Sequence, residues 1–268
     1  MSNKNISSLK LFSKDNKINI ITSFPKSGST WLRFIIYDLF FNKDNVGISS
    51  SQNIKHKIPD FHNIKKLDNQ VFDKFLKSEH IFFKTHFSYS QMKMLPIDKV
   101  IIIIRNPFDI FISLFNFYEI DENKKDTLLD YFCLHKTLPF LEKFKFPNWK
   151  DHFESWITSR KNFHIIKYSE LIDNFEKEIK YLSNFLNLKV TDEKINFIKN
   201  NTEFNNLKRL EIDERKKNLD GFFIDAMKGK KSQFINKGGN KNYQNFFTDT
   251  QLSKLKESFS KELDKYKI

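Results

Sequence analysis

The residues best suited to chemistry fall in three short stretches. Phe24-Pro-Lys-Ser-Gly-Ser-Thr-Trp31 gathers three hydroxyls and a lysine around one glycine. Set between a buried strand and a helix, such a loop turns backbone N–H groups toward an anion at the positive helix end. Ser27, Ser29 and Thr30 would add hydroxyl donors and Lys26 a point charge. The order differs from the Walker pattern G-x-x-x-x-G-K-[ST], because here the lysine precedes the glycine. An ordinary Gly-Ser turn capping a helix is the plainer reading of this loop alone.

Arg105-Asn-Pro-Phe-Asp-Ile-Phe-Ile-Ser113 offers a second anion site. A guanidinium at the C-terminal end of a buried strand points into the crevice where open α/β sheets bind ligands. Ser113 follows about two helical turns on, toward the inner side of the next helix. Together they could hold a second phosphate, whereas the plainer reading pairs Arg105 with Asp109. Lys84-Thr-His86 ends another strand, where His86 could act as a general base near neutral pH. The alternative is a hydrogen-bonded structural histidine. The remaining histidines lack that placement, and His56 and His62 are expected on a surface loop. Two phosphate cradles and a base in one crevice predict a group-transfer enzyme.

Four apolar runs must position these residues. They are Lys17–Phe24, His80–Lys84, Lys99–Arg105 and Phe163–Tyr168, and the unbroken run of the third suits a central parallel strand covered on both faces. Helical spacing follows the first loop, with Trp31, Phe34, Ile35, Leu39 and Phe40 on one side. Pro107 fits a first helical turn and starts a helix running to about Glu119. A helix over Ser169–Leu188 is expected with Ser169 as its N-cap, another from Thr191, and a surface helix from about Thr250. Residues 42–79 and 120–160 read as insertions of helices and loops. The fold class predicted is α/β, one domain over 1–268, with a central, mainly parallel sheet flanked by helices.

Composition narrows the function. The 268-residue chain is long enough to bury roughly three-quarters of its unfolded surface without disulfides. Its one cysteine, Cys133, excludes an intramolecular bridge and a cysteine-based zinc site. No signal-like apolar segment and no run of about 18 apolar residues occurs, so a soluble cytoplasmic protein without a membrane span is expected. Net charge +13 would suit an anionic partner, but only five of the 46 basic residues are arginine and Ala226 is the sole alanine. Much of that lysine excess is what an AT-rich genome imposes. Arginine, the side chain of choice for bidentate base readout, is scarce, so no nucleic-acid partner is expected.

With these stretches in order, the chain resembles the sulfotransferases that use 3′-phosphoadenosine 5′-phosphosulfate (PAPS), specifically the soluble, cytosolic-type group, and a bacterial member is expected. The resemblance runs from about residue 20 to residue 248. Pro25-Lys-Ser-Gly-Ser-Thr-Trp31 is similar to the family's P-loop-like phosphosulfate loop, Arg105 with Ser113 to its 3′-phosphate pair, and Lys84-Thr-His86 to the strand end bearing its histidine. Asn236-Lys-Gly238, with Tyr243 and Phe247-Thr248, resembles the C-terminal R-K-G-x-x-G-D-W-x-x-x-F-T element. The resemblance implies that Lys26, Ser27, Gly28, Ser29 and Thr30 hold the 5′ side. It implies that Trp31 and Phe204 stack on the two faces of adenine, that Tyr168 and Thr202 touch it, and that Lys237 and Gly238 close over the 3′-phosphate. Phe204 could instead be core in a chain of 31 phenylalanines.

The implied chemistry moves a sulfuryl group in line from PAPS to an acceptor hydroxyl, leaving 3′-phosphoadenosine 5′-phosphate (PAP), through a loose transition state. His86 would be the base, Lys26 would stabilise the bridging oxygen and Lys84 the sulfuryl oxygens. No metal is demanded. Some positions depart from the family. Asn236 replaces an arginine, which one of Lys230, Lys231, Lys237 or Lys241 could cover; Tyr243 replaces a tryptophan; Lys241 and Asn242 replace Gly-Asp. Gln244, Asp249 and Ser253 degrade the family's dimer motif, so the oligomeric state is open. The acceptor, whether small molecule, lipid or carbohydrate, would meet segments 42–79, 87–98, 120–160 and 208–235. The aromatic pieces Phe115–Tyr118, Phe140–Phe146 and Phe222-Phe223 could line its pocket or belong to the core. Lysine-rich 215–231 reads as a solvated loop or a lid. Alternatives are a P-loop nucleotide kinase, lacking here its G-K-[ST] signature, and a non-catalytic basic protein binding nucleic acid or acidic polymers.

Overall fold

The computed structural model describes residues 17–66, 68–159, 162–236, 238–239 and 242–268. Strands β1 (Ile18–Thr22), β2 (Ile81–Thr85), β3 (Ile97–Ile104) and β4 (Phe163–Lys167) form one sheet in the order β2-β1-β3-β4, with every pairing parallel. Alternate residues of each strand face opposite sides, so unbroken apolar runs require two covered faces. Ile18, Ile20, Phe83, Val100, Ile102 and Ile104 enter one core, and Ile21, Phe82, Ile101, Ile103 and Ile166 the other.

The helices before β4 include α1 (Ser29–Phe40), α2 (Ser51–Lys57), α3 (Pro107–Phe117), α4 (Lys125–His135) and α5 (Trp149–Ser159). After β4 come α6 (Tyr168–Asp173), α7 (Phe175–Phe185), α8 (Asp192–Asn201), α9 (Phe204–Lys217), α10 (Phe222–Met227) and α11 (Asp249–Tyr266). The first core is closed by Phe111 of α3, Phe132 of α4, Trp149, Phe153 and Trp156 of α5 and Phe259 of α11. The second is closed by Leu32, Ile35 and Ile36 of α1 with Ile179 and Leu182 of α7 and Ile195 and Ile198 of α8.

Several expectations change in detail. The helix expected over Ser169–Leu188 is two helices, broken at Asn174 (φ −133°, ψ 42°), so Ser169 lies inside α6 and caps nothing. Asp173 and Asn174 are poor helix residues that favour such a break. Thr191 does cap α8, accepting from Lys194 N–H, and Thr248 caps α11. That last helix buries Leu255 and Phe259 rather than only skirting the surface, and α5 carries core tryptophans rather than an insertion. Asn106 accepts from Phe108 N–H with Pro107 behind it, which starts α3 directly after β3.

The topology fixes where a ligand can enter. β1 has β2 on one side and β3 on the other, so the sheet grows outward in both directions from its centre. Connections leaving β1 and β3 diverge there, opening a crevice beyond their C-terminal ends. The loop 24–28, Lys84–His86 and Arg105 all lie at strand ends at that crevice.

Candidate active site

A cleft of about 950 Å³ occupies the crevice and is lined by Lys26, Gly28, Ser29, Thr30, Lys84, His86, Arg105 and Ser113, among others. Its floor is the turn after β1. Gly28 adopts φ +103°, and a Cβ there would lie 2.6 Å from the Tyr168 ring, so only glycine lets the loop pass beneath that ring. Lys26 is also left-handed, at φ 68°. Its ammonium lies 4.2 Å from the ring centres of both Phe117 and Phe234. Burial, with the charges of Arg105 and Lys230 adding to it, lowers its pKa to about 7. Arg105 donates to the carbonyls of Lys26 (3.3 Å) and Gly239 (3.2 Å) and lies over the Tyr168 ring at 4.2 Å. Its buried Nε has no partner among the described residues.

The second cluster stands at the end of β2. His86 Nδ1–H donates to the carbonyl of Ser23 (2.6 Å); a carbonyl can only accept, which leaves Nε2 as the basic nitrogen. Lys84 Nζ lies 2.5 Å from that Nε2 and 2.7 Å from Asp60 Oδ2. Burial, then the Lys84 charge, holds His86 well below the ordinary histidine value, so its imidazole is neutral. Burial also lowers Lys84, opposed by Asp60. For Asp60 itself burial works upward, but the neighbouring Lys84, His62 and His86 outweigh it and hold the carboxyl below its ordinary range.

On the opposite wall Trp31 donates from Nε1 to Thr202 Oγ1 (3.2 Å), and Thr202 gives its own hydrogen to Ile198 O (2.8 Å). The Thr202 hydroxyl is thus committed as a donor and could only accept from a ligand. Phe204 packs against Gly238, where an added Cβ would come within 2.6 Å of its ring. Phe204 is therefore a cleft residue rather than core.

Aromatic side chains also line the cleft, among them Phe117, Tyr118, Phe144, Phe146, Phe222 and Phe234. Phe115 and Phe223, by contrast, are core. The stretch expected as a solvated loop or lid is ordered instead. Residues 215–217 end α9, and α10 follows. The chain after α10 is tied down: Glu211 accepts from the N–H groups of Phe234 and Ile235 (both 2.7 Å), Glu119 from Lys231 N–H (2.7 Å), and Arg215 donates to Lys230 O (2.9 Å). These bonds place the Lys230 ammonium 3.3 Å from the Phe117 ring centre, beside Lys26.

Most of the motif residues meet in this cleft, with exceptions. Ser27 is fully buried, does not line the cleft, and its hydroxyl has no partner among the described residues. Lys237 and Lys241 lie outside the described residues. His62 is not on a surface loop: its Nε2 accepts from His86 N–H (3.1 Å) and its ring packs on Phe87 and Phe146. His56 is in α2. Asp60 and Arg33 escaped the sequence reading, which also misplaced His62. Arg33 had a legible signal, a cation in the apolar helix behind the loop; it is buried, lies over Phe222 and donates to Ile58 O (2.6 Å). Asp60 and His62 carried none beyond their types.

Comparison with known proteins bears on the family and the fold. Residues 16–267 match the sulfotransferase domain family model. Sulfotransferase 2A1 of Macaca fascicularis is 27% identical over 177 residues, 59% of this chain and 54% of that protein. Sulfotransferase 1 family member D1 of Mus musculus is 25% identical over 166 residues, 55% of this chain and 50% of that one. The matched part thus spans about half the length of these relatives. Among solved structures, mouse sulfotransferase SULT7A1 complexed with PAP superposes with a TM-score of 0.65 at 23% identity, covering 98% of this chain and 90% of that one. Retinol dehydratase in complex with androsterone and inactive cofactor PAP gives 0.65 at 14% identity, covering 96% and 84%. The structures share the fold, and the family model spans nearly the whole chain: this protein belongs to the sulfotransferase domain family.

Proposed function

We propose that this protein transfers a sulfuryl group from PAPS to the hydroxyl of a bound acceptor, with His86 as the base. The observation that carries the reading is the fixed His86 tautomer, its basic Nε2 in the same cleft as Lys26, Lys84 and Arg105. The residues fit a bisphosphorylated nucleotide. Arg105 has a buried N–H without a partner among the described residues, and burial depresses Lys26 and Lys84, a cost that a bound anion would relieve.

In this reading Lys26, Ser29, Thr30 and the N–H groups around Gly28 hold the 5′ side, Ser27 contributing through its backbone. Arg105, Ser113, Lys237 and Gly238 hold the 3′-phosphate. Trp31 and Phe204 flank the adenine, with Tyr168 and Thr202 at its edge. PAPS, when bound, supplies a sulfuryl group activated by its phosphate leaving group. His86 Nε2 takes the hydroxyl proton as the acceptor oxygen bonds to sulfur and the bond to the phosphate oxygen breaks. Lys26 stabilises the charge left on that oxygen, and Lys84 the sulfuryl oxygens. The aromatic lining of the cleft supports an acceptor with an apolar body.

Calorimetric titration with PAP, with AMP as control, tests the cofactor. Wild type should bind PAP, and removal of either the 3′-phosphate or the Arg105 guanidinium (Arg105→Ala) should weaken binding at least tenfold. Equal binding of AMP and PAP, or no binding of PAP, would refute the reading.

A further inference from the structure

Lys84 stands between two partners that want opposite things from it. Two of its three ammonium hydrogens reach Asp60 Oδ2 at 2.7 Å and His86 Nε2 at 2.5 Å, leaving the third for a ligand. The charged donor on Nε2 occupies the lone pair that a base must use. Asp60 is itself held in place: its Oδ1 accepts from His62 N–H (3.1 Å), Pro59 O accepts from Lys84 N–H (3.0 Å), and His62 Nε2 accepts from His86 N–H. Asp60, Lys84, His86 and Ser23 thus form one connected line of hydrogen bonds across the cleft wall.

We infer that Asp60 is a positioning residue for the transfer step, holding the Lys84 ammonium charged and in place beside His86 so that a bound sulfuryl group can draw it off Nε2. The inference rests on the proposed function for its consequence, though the contact itself does not. Asp60 is the one carboxylate within ion-pair distance of Lys84 among the described residues. The other charged or titratable groups coupled to Lys84, His86 and Asp60 are Arg33 and His62, with Lys26 and His152 also feeling the Lys84 charge. Burial and Arg33 oppose a charged Lys84, and the Asp60 carboxylate is the group that favours the charged form of this buried lysine. When Lys84 turns toward the sulfuryl oxygens, His86 Nε2 is freed as the acceptor hydroxyl arrives. The base is uncovered only when there is a group to transfer.

The test uses Asp60→Asn, which keeps an oxygen for His62 N–H and removes only the charge, and Asp60→Glu, which restores it. The Lys84 side chain is followed by ¹³C and ¹⁵N NMR across pH in wild type and both variants, with PAP calorimetry alongside. The Lys84 midpoint should fall by at least one pH unit, a tenfold loss of proton affinity, in Asp60→Asn and recover in Asp60→Glu. In sulfuryl transfer from PAPS to 2-naphthol, kcat should fall at least tenfold in Asp60→Asn with KM for PAPS changed less. Both limbs of the pH profile should move to lower pH, since Asp60 raises the proton affinity of both Lys84 and His86. An unchanged Lys84 midpoint in Asp60→Asn overturns the inference. Should that variant not fold, a wild-type Lys84 that is already a neutral amine at about pH 7 overturns it equally. Failure of wild type to bind PAP would sink the proposed function and leave the Lys84 titration to judge the contact alone.

Discussion

Lys26 gives the sharpest quantitative expectation. Burial between Phe117 and Phe234, with Arg105 and Lys230 nearby, lowers its pKa to about 7 in the free protein. A bound polyphosphate would favour the charged form and raise that value toward the ordinary lysine range. Binding is then strongest below the free-state pKa and weakens as pH rises through it. Between about pH 7 and about pH 9 the charged fraction of free Lys26 falls from about one-half to about one-hundredth. PAP affinity should therefore drop about fifty-fold, or about 2 kcal/mol. Binding at pH 8 should take up close to one proton. Phosphate groups, whose second pKa lies near 6, are already ionised over this range. Calorimetry in two buffers of different ionisation enthalpy reads both quantities. Lys26→Arg serves as the control, because a guanidinium stays charged throughout and should abolish this residue's share of the pH dependence. Lys84 acts in the same direction and would leave a residue of it. A wild-type Kd as flat with pH as that of Lys26→Arg, with no proton uptake, would refute the argument that burial uncharges this lysine.

Three further outcomes follow from the same geometry. His86→Ala should lower kcat about 10²–10⁴-fold while PAP still binds, measured as PAP release under saturating PAPS; a near-normal kcat would remove His86 from the mechanism. Gly28→Ala forces a Cβ to within 2.6 Å of Tyr168 at φ +103°. It should cost about 2–5 kcal/mol from strain and overpacking together, read by urea unfolding, and a loss under 1 kcal/mol would count against the close approach. Glu211 is fully buried and receives the N–H groups of Phe234 and Ile235. Glu211→Ala should release that segment from the cleft, so these two amides should exchange with deuterium at least tenfold faster, and unchanged protection would contradict the tie.

What could be read along the chain was what lies close together along it. The loop Pro25–Thr30, the Lys84–His86 step and the Arg105–Ser113 spacing each sit where a strand runs out, and strands betray themselves by unbroken apolar runs. The Pro107 start of α3 and the Thr191 cap of α8 were legible for the same reason: a cap needs only its own next few N–H groups. Ser169 misled because a capping residue type recurs wherever serine does. The break at Asn174 depends on how α6 and α7 pack against the sheet as well as on local preference.

Asp60 and His62 were illegible on different grounds. Each lies 24 residues before its partner at the end of β2, in a segment with no periodic pattern, and only the pairing of residues 59–60 beside Lys84 brings them to the cleft. The same holds for Glu211 and Glu119, whose captured N–H groups sit 23 and 112 residues away. The sequence by itself determined the parallel α/β fold and the strand-to-helix turn at Pro25–Thr30, because apolar periodicity and short-range backbone geometry are local properties of a chain. The tertiary structure alone decided which charges meet at Lys84, which nitrogen of His86 is basic and how far Lys26 is uncharged, because desolvation and ion pairing depend on neighbours that only folding supplies.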